Sequence, residues 1–246
     1  MSPCALRRVS ASPVDGELDA LDRAWRTLDA RQRIECSYDH LPGAHVLSSS
    51  FGMQAAVMLH LVTRVDPNVP VLFVDTGYHF IETYRFVDQL RERLALNLKV
   101  LRAETSPAWQ EARHGRRWEQ GRIGIDAYNR EAKVEPMRRA LDEFAVGTWF
   151  SGLRRSQSSS RADLPLIERQ WGRLKVHPIA DWSDRDVHRY LIEHDLPYHP
   201  LREHGYLSIG DWHTTRPAHE AESEEAVRFF GVVRECGLHE RGSTPG

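Results

Sequence analysis

The sequence predicts an α/β fold, a Rossmann-like and mostly parallel sheet with helices on both faces. Three observations carry that expectation. Short apolar runs alternate with amphipathic stretches in the order strand, helix, strand, helix, strand between about Ala44 and Glu104. The runs themselves, such as "VPVLFVDTG", read as buried strands rather than half-exposed ones. The chain has 246 residues, 41% of them hydrophobic, which suits one large core better than two small ones.

Each element has its own signal. Leu18, Leu21, Trp25 and Leu28 recur at helical spacing, so about Glu17 to Arg33 reads as a first amphipathic helix. "AHVLSSS" is a short apolar strand that ends in hydroxyls, and "MQAAVMLHLVTRV" follows as a helix. "VPVLFVDTG" is the next strand, "FIETYRFVDQLRERLAL" a helix and "LNLKVLRAE" a strand. "TWFSGL" and "LKVHPI" are two further strands. "SDRDVHRYLIEHD" is a helix opened by Ser183, with Val187, Tyr190 and Leu191 on one face. After about Pro200, Gly205, Gly210, Pro217 and the acidic "EAESEE" mark a loop-rich stretch lying over the domain. The expected organisation is an N-terminal helical segment (1–43), an α/β domain (44–216) and a C-terminal tail (217–246).

Composition bounds the partners. The formal charge of −2 argues against a nucleic-acid coat and against a membrane-surface protein. No apolar run approaches the length that spans a bilayer. "MSPCALRRVSASPVDG" shows no signal-peptide pattern, so the expected compartment is the cytosol. Cys4, Cys36 and Cys236 are odd in number and far apart, which suits thiols in a reducing compartment. His199, His204, His213 and His219 lie in loops without ligand spacing and read as scattered surface histidines, so no metal site is expected.

In parallel α/β sheets the chemistry sits where strands end, and three strand ends are unusual. "SSSFG" places Ser48, Ser50 and Gly52 between strand and helix, where backbone N–H groups can cradle an anion; a plain helix cap is the competing reading. "VDTG" places Asp75 and Gly77 where a carboxylate can accept bonds from a ribose or base, or simply cap the next helix. "GLRRSQSSSR" sets Arg154, Arg155 and Arg161 among serines at a strand mouth, as a bidentate anion site or a solvated basic loop. Their agreement on one end of one sheet favours a nucleotide. Lys133, just before a helix expected to begin near Glu135 and Pro136, is a further cation.

At this point the residues resemble a known family. "SSSFG", "VDTGYHFIETYRF", "YNREAKVEPMRRAL", "TWFSGLRRSQSSSRADLP", "HGYLSIGDWHTTRP", "RFFG" and "RECGLHE" follow the order and spacing of the thioredoxin-dependent phosphoadenylyl sulfate reductases of assimilatory sulfate reduction. The similarity runs from about Ala44 to Glu240. The ending Glu235–His239 is specific to this family, whereas the serine loop marks the wider adenine nucleotide alpha-hydrolase-like superfamily. Ser156 departs from the pattern, standing where many relatives carry an acidic residue.

The resemblance implies that the tail cysteine, Cys236, attacks the sulfur of bound 3′-phosphoadenylyl sulfate and expels adenosine 3′,5′-bisphosphate. The resulting S-sulfocysteine is then reduced by thioredoxin or glutaredoxin as an external partner. A mobile tail would let the thiol close over the nucleotide and swing out to a bulky reductant. Arg234 and His239 flank Cys236 and favour a thiolate, with His239 counted as catalytic, while Glu235 opposes them. Arg228 of "RFFG" joins Lys133 and the strand-end arginines as substrate cations. A homodimer is also implied. Relatives that reduce adenylyl sulfate hold a four-iron cluster on two cysteine pairs, and those positions here are Tyr128, Asn129, Asp211 and Thr214. No cofactor and no iron–sulfur cluster are therefore expected. The alternatives are a cluster-free adenylyl sulfate reductase and a non-catalytic nucleotide-binding module. The Ser-Gly-Gly-x-Asp-Ser loop of the superfamily's ATP pyrophosphatases is not matched by "SSSFGM".

Overall fold

Val46, Leu47, Val71, Leu72, Trp149 and Phe150 have no exposed surface, as strands covered by helices on both faces require. In the computed structural model, which describes residues 15–220 together with Val227 and Leu238, they belong to one six-stranded sheet. Its strands are β1 (Ala44–Ser48), β2 (Pro70–Val74), β3 (Asn97–Leu101), β4 (Val146–Phe150), β5 (Ile167–Gln170) and β6 (Arg173–Val176). Their order is β3-β2-β1-β4-β6-β5, and every pair is parallel except β5–β6. Leu47, Val71, Phe73, Phe150, Leu174 and Val176 face one core, and Val46, Leu72, Val74 and Trp149 face the other. That division is the period-2 alternation of the strands made physical.

Helices cover both faces. α1 (Asp15–Trp25) and α2 (Ala30–His40) pack on the first face with α3 (Ala55–Thr63), α4 (Ile81–Arg93) and α8 (Asp184–Glu193). α5 (Pro107–His114) and α6 (Gly121–Asn129) lead into α7 (Glu135–Glu143), whose Met137, Ala140 and Leu141 cover the second face. The first helix is two helices, not one. Asp29 caps α2 by accepting from the Gln32 N–H at 2.8 Å, and Gln32 Oε1 accepts the Asp29 N–H at 2.9 Å, so a capping box interrupts the periodic run. Arg33 is 2% exposed and donates to the Trp25 and Pro178 carbonyls and to Asp181 at 2.7 to 3.0 Å. This ties the N-terminal helices to the sheet.

Two other elements depart from the sequence reading. β5 was not visible as a strand because "IERQ" is short and polar. Its connection to β6 is a two-residue turn with φ of 50° at Trp171 and 74° at Gly172, where the usual hairpin signal would be Asn-Gly. Lys133 lies inside a π-helical turn, Arg130–Val134, that joins α6 to α7 without a break. Pro136 supplies no N–H to the carbonyl four residues back, and the widened turn accommodates that loss.

Two of the loop histidines are not on the surface. His199 is 1% exposed, with Nδ1 accepting from the Leu201 N–H at 3.2 Å and Nε2 against Thr83 Oγ1 at 3.0 Å. His213 stacks on Trp118 with ring centroids 3.8 Å apart. Burial pushes each imidazole down to about 4, against an ordinary 6.5. Above 6.5 both folded and unfolded chains hold these rings neutral. As pH falls from 6.5 toward 4, the unfolded chain takes up protons that the folded chain refuses, so stability should fall through that window. His45 and His60, also lowered by burial, act in the same direction, and Asp75, Asp181 and Asp211, held below their ordinary 3.8, add their own loss only at the acid end of the window. Melting temperatures measured across this range should decline, and His199→Gln, which bonds but cannot titrate, should flatten the decline. An unchanged slope in the variant would remove His199 as its source.

Candidate functional site

β1 runs to β2 on one side and pairs with β4 on the other, so the strand order reverses between β1 and β4. Such a reversal opens a crevice at the carboxyl ends of the strands. A cleft of about 1220 Å³ lies there, walled by the loops after β1 and β4, the start of α3, and the stretch from Tyr198 to Asp211.

The first wall is the serine loop. Ser48 Oγ accepts from Trp149 Nε1 at 2.6 Å, and the Ser49 N–H donates to the Leu72 carbonyl at 3.0 Å. Ser49 Oγ takes the Phe51 N–H at 3.1 Å, while Phe51 sits fully buried at a φ of 49°. A bulky residue in the left-handed region costs about 1–3 kcal/mol and persists only where packing fixes it. Here the Phe73 ring meets Phe51 edge-on at 5.2 Å. No serine caps α3: its N-cap is Gln54, which makes no side-chain cap bond. Ser48, Ser50 and Gly52 line the cleft instead, at the positive end of a helix dipole.

The second wall is the arginine loop, two short 3-10 turns at Arg155–Gln157 and Ser159–Arg161. Arg154, Arg155 and Arg161 all line the cleft, but they are not equivalent. Arg154 is 3% exposed and commits its fork to Gln54 Oε1 (2.6 Å), Asp184 (2.8 Å) and Ser156 Oγ (2.9 Å). It braces the loop against α3 and α8. Arg155 donates Nε to the Leu164 carbonyl at 2.8 Å, and among the described residues the rest of its fork makes no hydrogen bond. Arg161 is steadied by Gln157 at 2.6 Å.

The "VDTG" stretch is corrected by the geometry. Asp75 and Gly77 do not line the cleft; Val74 and Thr76 do. The Asp75 carboxylate accepts from Tyr84 Oη (2.7 Å), Arg102 Nε (2.9 Å) and the Gly77 N–H (3.0 Å). Burial alone would raise this carboxyl, but those bonds hold it below its ordinary value. Gly77 is a turn residue with a φ of +77°, where a Cβ would come within 2.5 Å of Pro107. Both residues shape the turn from β2 to α4.

Lys133 reaches the cleft from the π turn, and its Nζ lies 2.6 Å from Asp211 Oδ2. Asp211 is fully buried. Tyr128 Oη donates to the same oxygen at 2.9 Å and Thr76 Oγ1 to the other at 2.6 Å. Burial would raise the Asp211 carboxyl; the Lys133 charge, His79 and these hydrogen bonds together hold it well below the usual range. Of the four positions singled out as cluster sites in relatives, Tyr128 and Asp211 are thus joined by a hydrogen bond. Thr214 Oγ1 donates to the Asp211 carbonyl at 3.3 Å, and Asn129 is buried in α6. A phenol, a carboxylate, an amide and an alcohol are not the four thiolates a cluster takes.

Arg202 was missed. It is exposed, lines the cleft and lays its guanidinium 3.5 Å from the centroid of Tyr198. Its signal in the sequence is an aromatic four residues ahead of an arginine, too common to act on alone. Cys236, His239, Arg228 and Arg234 lie outside the described residues. Val227 and Leu238, on either side of Cys236 in sequence, both line the cleft.

A reversal-point cleft walled by hydroxyls, a helix N-terminus and arginines defines an α/β protein that binds an anionic nucleotide. Residues 44–217 match the phosphoadenosine phosphosulfate reductase domain family. The chain is 59% identical over 230 residues to the phosphoadenosine 5′-phosphosulfate reductase of Xanthomonas campestris pv. campestris strain B100, covering 94% of this chain and 95% of that one. To that of Serratia proteamaculans strain 568 it is 56% identical over 243 residues, covering 98% and 100%. It is similar to the crystal structure of phosphoadenylyl-sulfate reductase from Candida auris in a phosphate complex, with TM-score 0.73, 28% identity and coverage of 85% and 100%. Candida glabrata FMN adenylyltransferase with FMN and an ATP analogue shares the fold, with TM-score 0.58, 18% identity and coverage of 81% and 67%. The chain belongs to the phosphoadenosine phosphosulfate reductase family.

Proposed function

We propose that the chain reduces 3′-phosphoadenylyl sulfate to sulfite and adenosine 3′,5′-bisphosphate, with thioredoxin or glutaredoxin as the external reductant. The observation that carries this reading is the meeting, in one cleft, of the serine loop, Arg155, Lys133 and Leu238, the last two residues beyond Cys236. The Cys236 thiolate attacks the sulfate sulfur and forms an S–S bond. The bond from that sulfur to the bridging phosphate oxygen breaks, and its electron pair leaves on the bisphosphate. No strong general acid is needed, since a phosphate is a stable leaving anion. Serine hydroxyls, the α3 N-terminus and the cleft cations offset the charge gathered in the transition state. A thiolate of the reductant then attacks Sγ of Cys236 and expels sulfite. Its second thiol resolves the mixed disulfide, so two electrons pass from dithiol to sulfur.

Sulfite release from 3′-phosphoadenylyl sulfate and from adenylyl sulfate, measured side by side with thioredoxin, tests the reading. Release from the first and little from the second is expected, and release from neither overturns it. The purified protein should be colourless, because the four cluster positions carry no thiol. Stoichiometric iron and sulfide, with activity lost on their removal, would contradict that.

Arg155→Gln should weaken binding of adenosine 3′,5′-bisphosphate by about 1.5–3 kcal/mol for each charge-assisted hydrogen bond lost. Arg154→Gln should lower the melting temperature as well, since it unties α3 and α8 from the loop. Equal affinity of wild type and Arg155→Gln by calorimetry would take Arg155 out of the site.

A further inference from the structure

β6 carries a lysine where the core should be apolar. Lys175 is fully buried, on the sheet face that holds Trp149, and its Nζ lies 4.1 Å from the Trp149 ring centroid. Nζ donates to Gln170 Oε1 at 2.5 Å and to the Leu238 carbonyl at 3.0 Å. Gln170 Nε2 donates to that same carbonyl at 3.1 Å. The β5–β6 hairpin thus aims two side-chain donors at one backbone oxygen 63 residues away from Lys175. The Leu238 side chain packs against the core cluster that includes Met137 and Trp149. Trp149 in turn donates to Ser48 Oγ. The seat of Leu238 and the serine loop therefore share a wall, although neither Lys175 nor Gln170 lines the cleft. A buried amine is costly unless hydrogen-bonded, and a hydrophobic residue under Trp149 would pack without that cost.

We propose that Lys175 and Gln170 form a clasp that seats the C-terminal tail, making them positioning residues for the attack of Cys236 on the substrate sulfur. The proposal rests on the reading of Cys236 as nucleophile. Leu238 follows Cys236 by two residues in sequence, and two residues of extended chain span at most about 7 Å, so holding the Leu238 carbonyl would limit how far the thiol can stray from it. Confinement of a nucleophile replaces a search by a short-range encounter and lowers the entropic part of the barrier. Two hydrogen bonds to one carbonyl can also open without breaking any strand or helix.

Lys175→Met keeps the length of the side chain and removes its donors, and Gln170→Leu removes the other donor. Three measurements apply to each variant and to the pair: affinity for adenosine 3′,5′-bisphosphate, single-turnover sulfonation of Cys236 followed by mass on the C-terminal peptide, and hydrogen exchange of that peptide with nucleotide bound. Nucleotide affinity should stay near wild type. Sulfonation should slow by about tenfold or more, the scale of losing a positioning contact, and tail exchange should quicken. Wild-type sulfonation and exchange in folded variants would overturn the clasp. Should Lys175→Met fail to fold, Gln170→Leu carries the same test by removing the other donor to the Leu238 carbonyl, and Lys175→Gln, which keeps a donor, should restore both sulfonation and slow exchange. A wild-type chain that acquires no sulfonate on Cys236 overturns the nucleophile reading, and tail exchange then decides the seat by itself.

Discussion

Cys236→Ser should abolish thioredoxin-dependent sulfite release while leaving nucleotide affinity unchanged. Serine keeps the size of the side chain but offers an alcohol that is hardly ionised near neutral pH, so the attacking species is lost. The loss should be about a thousandfold or more, as for other nucleophile deletions. Binding should survive because the serine loop, Arg155 and Lys133 line the cleft independently of the thiol. Wild-type protein mixed with substrate but no reductant should carry a sulfonate on Cys236, and thioredoxin should discharge it as sulfite. Cys36→Ser is the control, since Cys36 is 1% exposed within the core beside Trp25 and Ile34. Substantial turnover by Cys236→Ser, or a sulfonate on Cys36, would sink the assignment.

Asp211→Ala should be the most destabilising single change in the cleft. It removes the carboxylate on which Lys133, Tyr128 and Thr76 converge and leaves an ammonium buried beside donors that have lost their acceptor. Breaking a buried pair from one side costs about 3–5 kcal/mol. For a domain of this size that is on the order of 10 °C in melting temperature. Replacing both members, as Lys133→Met with Asp211→Leu, should recover much of the stability, because the buried ammonium and carboxylate are then removed together. The double variant should still bind the nucleotide poorly, having lost a cleft cation. A single Asp211→Ala variant that melts with the wild type would show that this pair does not support the fold.

Strand ends and cations were legible in the sequence because they rest on local signals: an apolar run, then hydroxyls or arginines. That reasoning found Ser48, Ser50, Gly52, Lys133, Arg155 and Arg161 at the cleft. It could not tell Arg154 from Arg155, because the difference lies in partners 100 and 30 residues distant, Gln54 and Asp184. Asp75 misled for the same reason: a strand-end carboxylate reads as a ligand until Tyr84 and Arg102 are seen to hold it. β5 was hidden by polar composition and by a Trp-Gly turn. Arg202 and Lys175 stand out only through what lies beside them in space, Tyr198 and the Leu238 carbonyl. One-dimensional spacing does not carry that information.

The position of β1 between β2 and β4 also bears on how the molecule is made. β1 pairs with β4 through a register that couples Leu47 to Phe150, and the chain between them contains β2, β3 and α3 to α7. Parallel pairing over such a separation must pay loop-closure entropy before any contact returns it, which slows folding. During synthesis the edge of β1 that will receive β4 waits, apolar and unpaired, until most of the domain has emerged. The cleft has one wall on each of those strands, so a fragment that ends before β4 lacks half of the nucleotide site. Ligand binding rewards only the completed topology, and the nucleotide stabilises the end of the folding reaction rather than guiding its beginning.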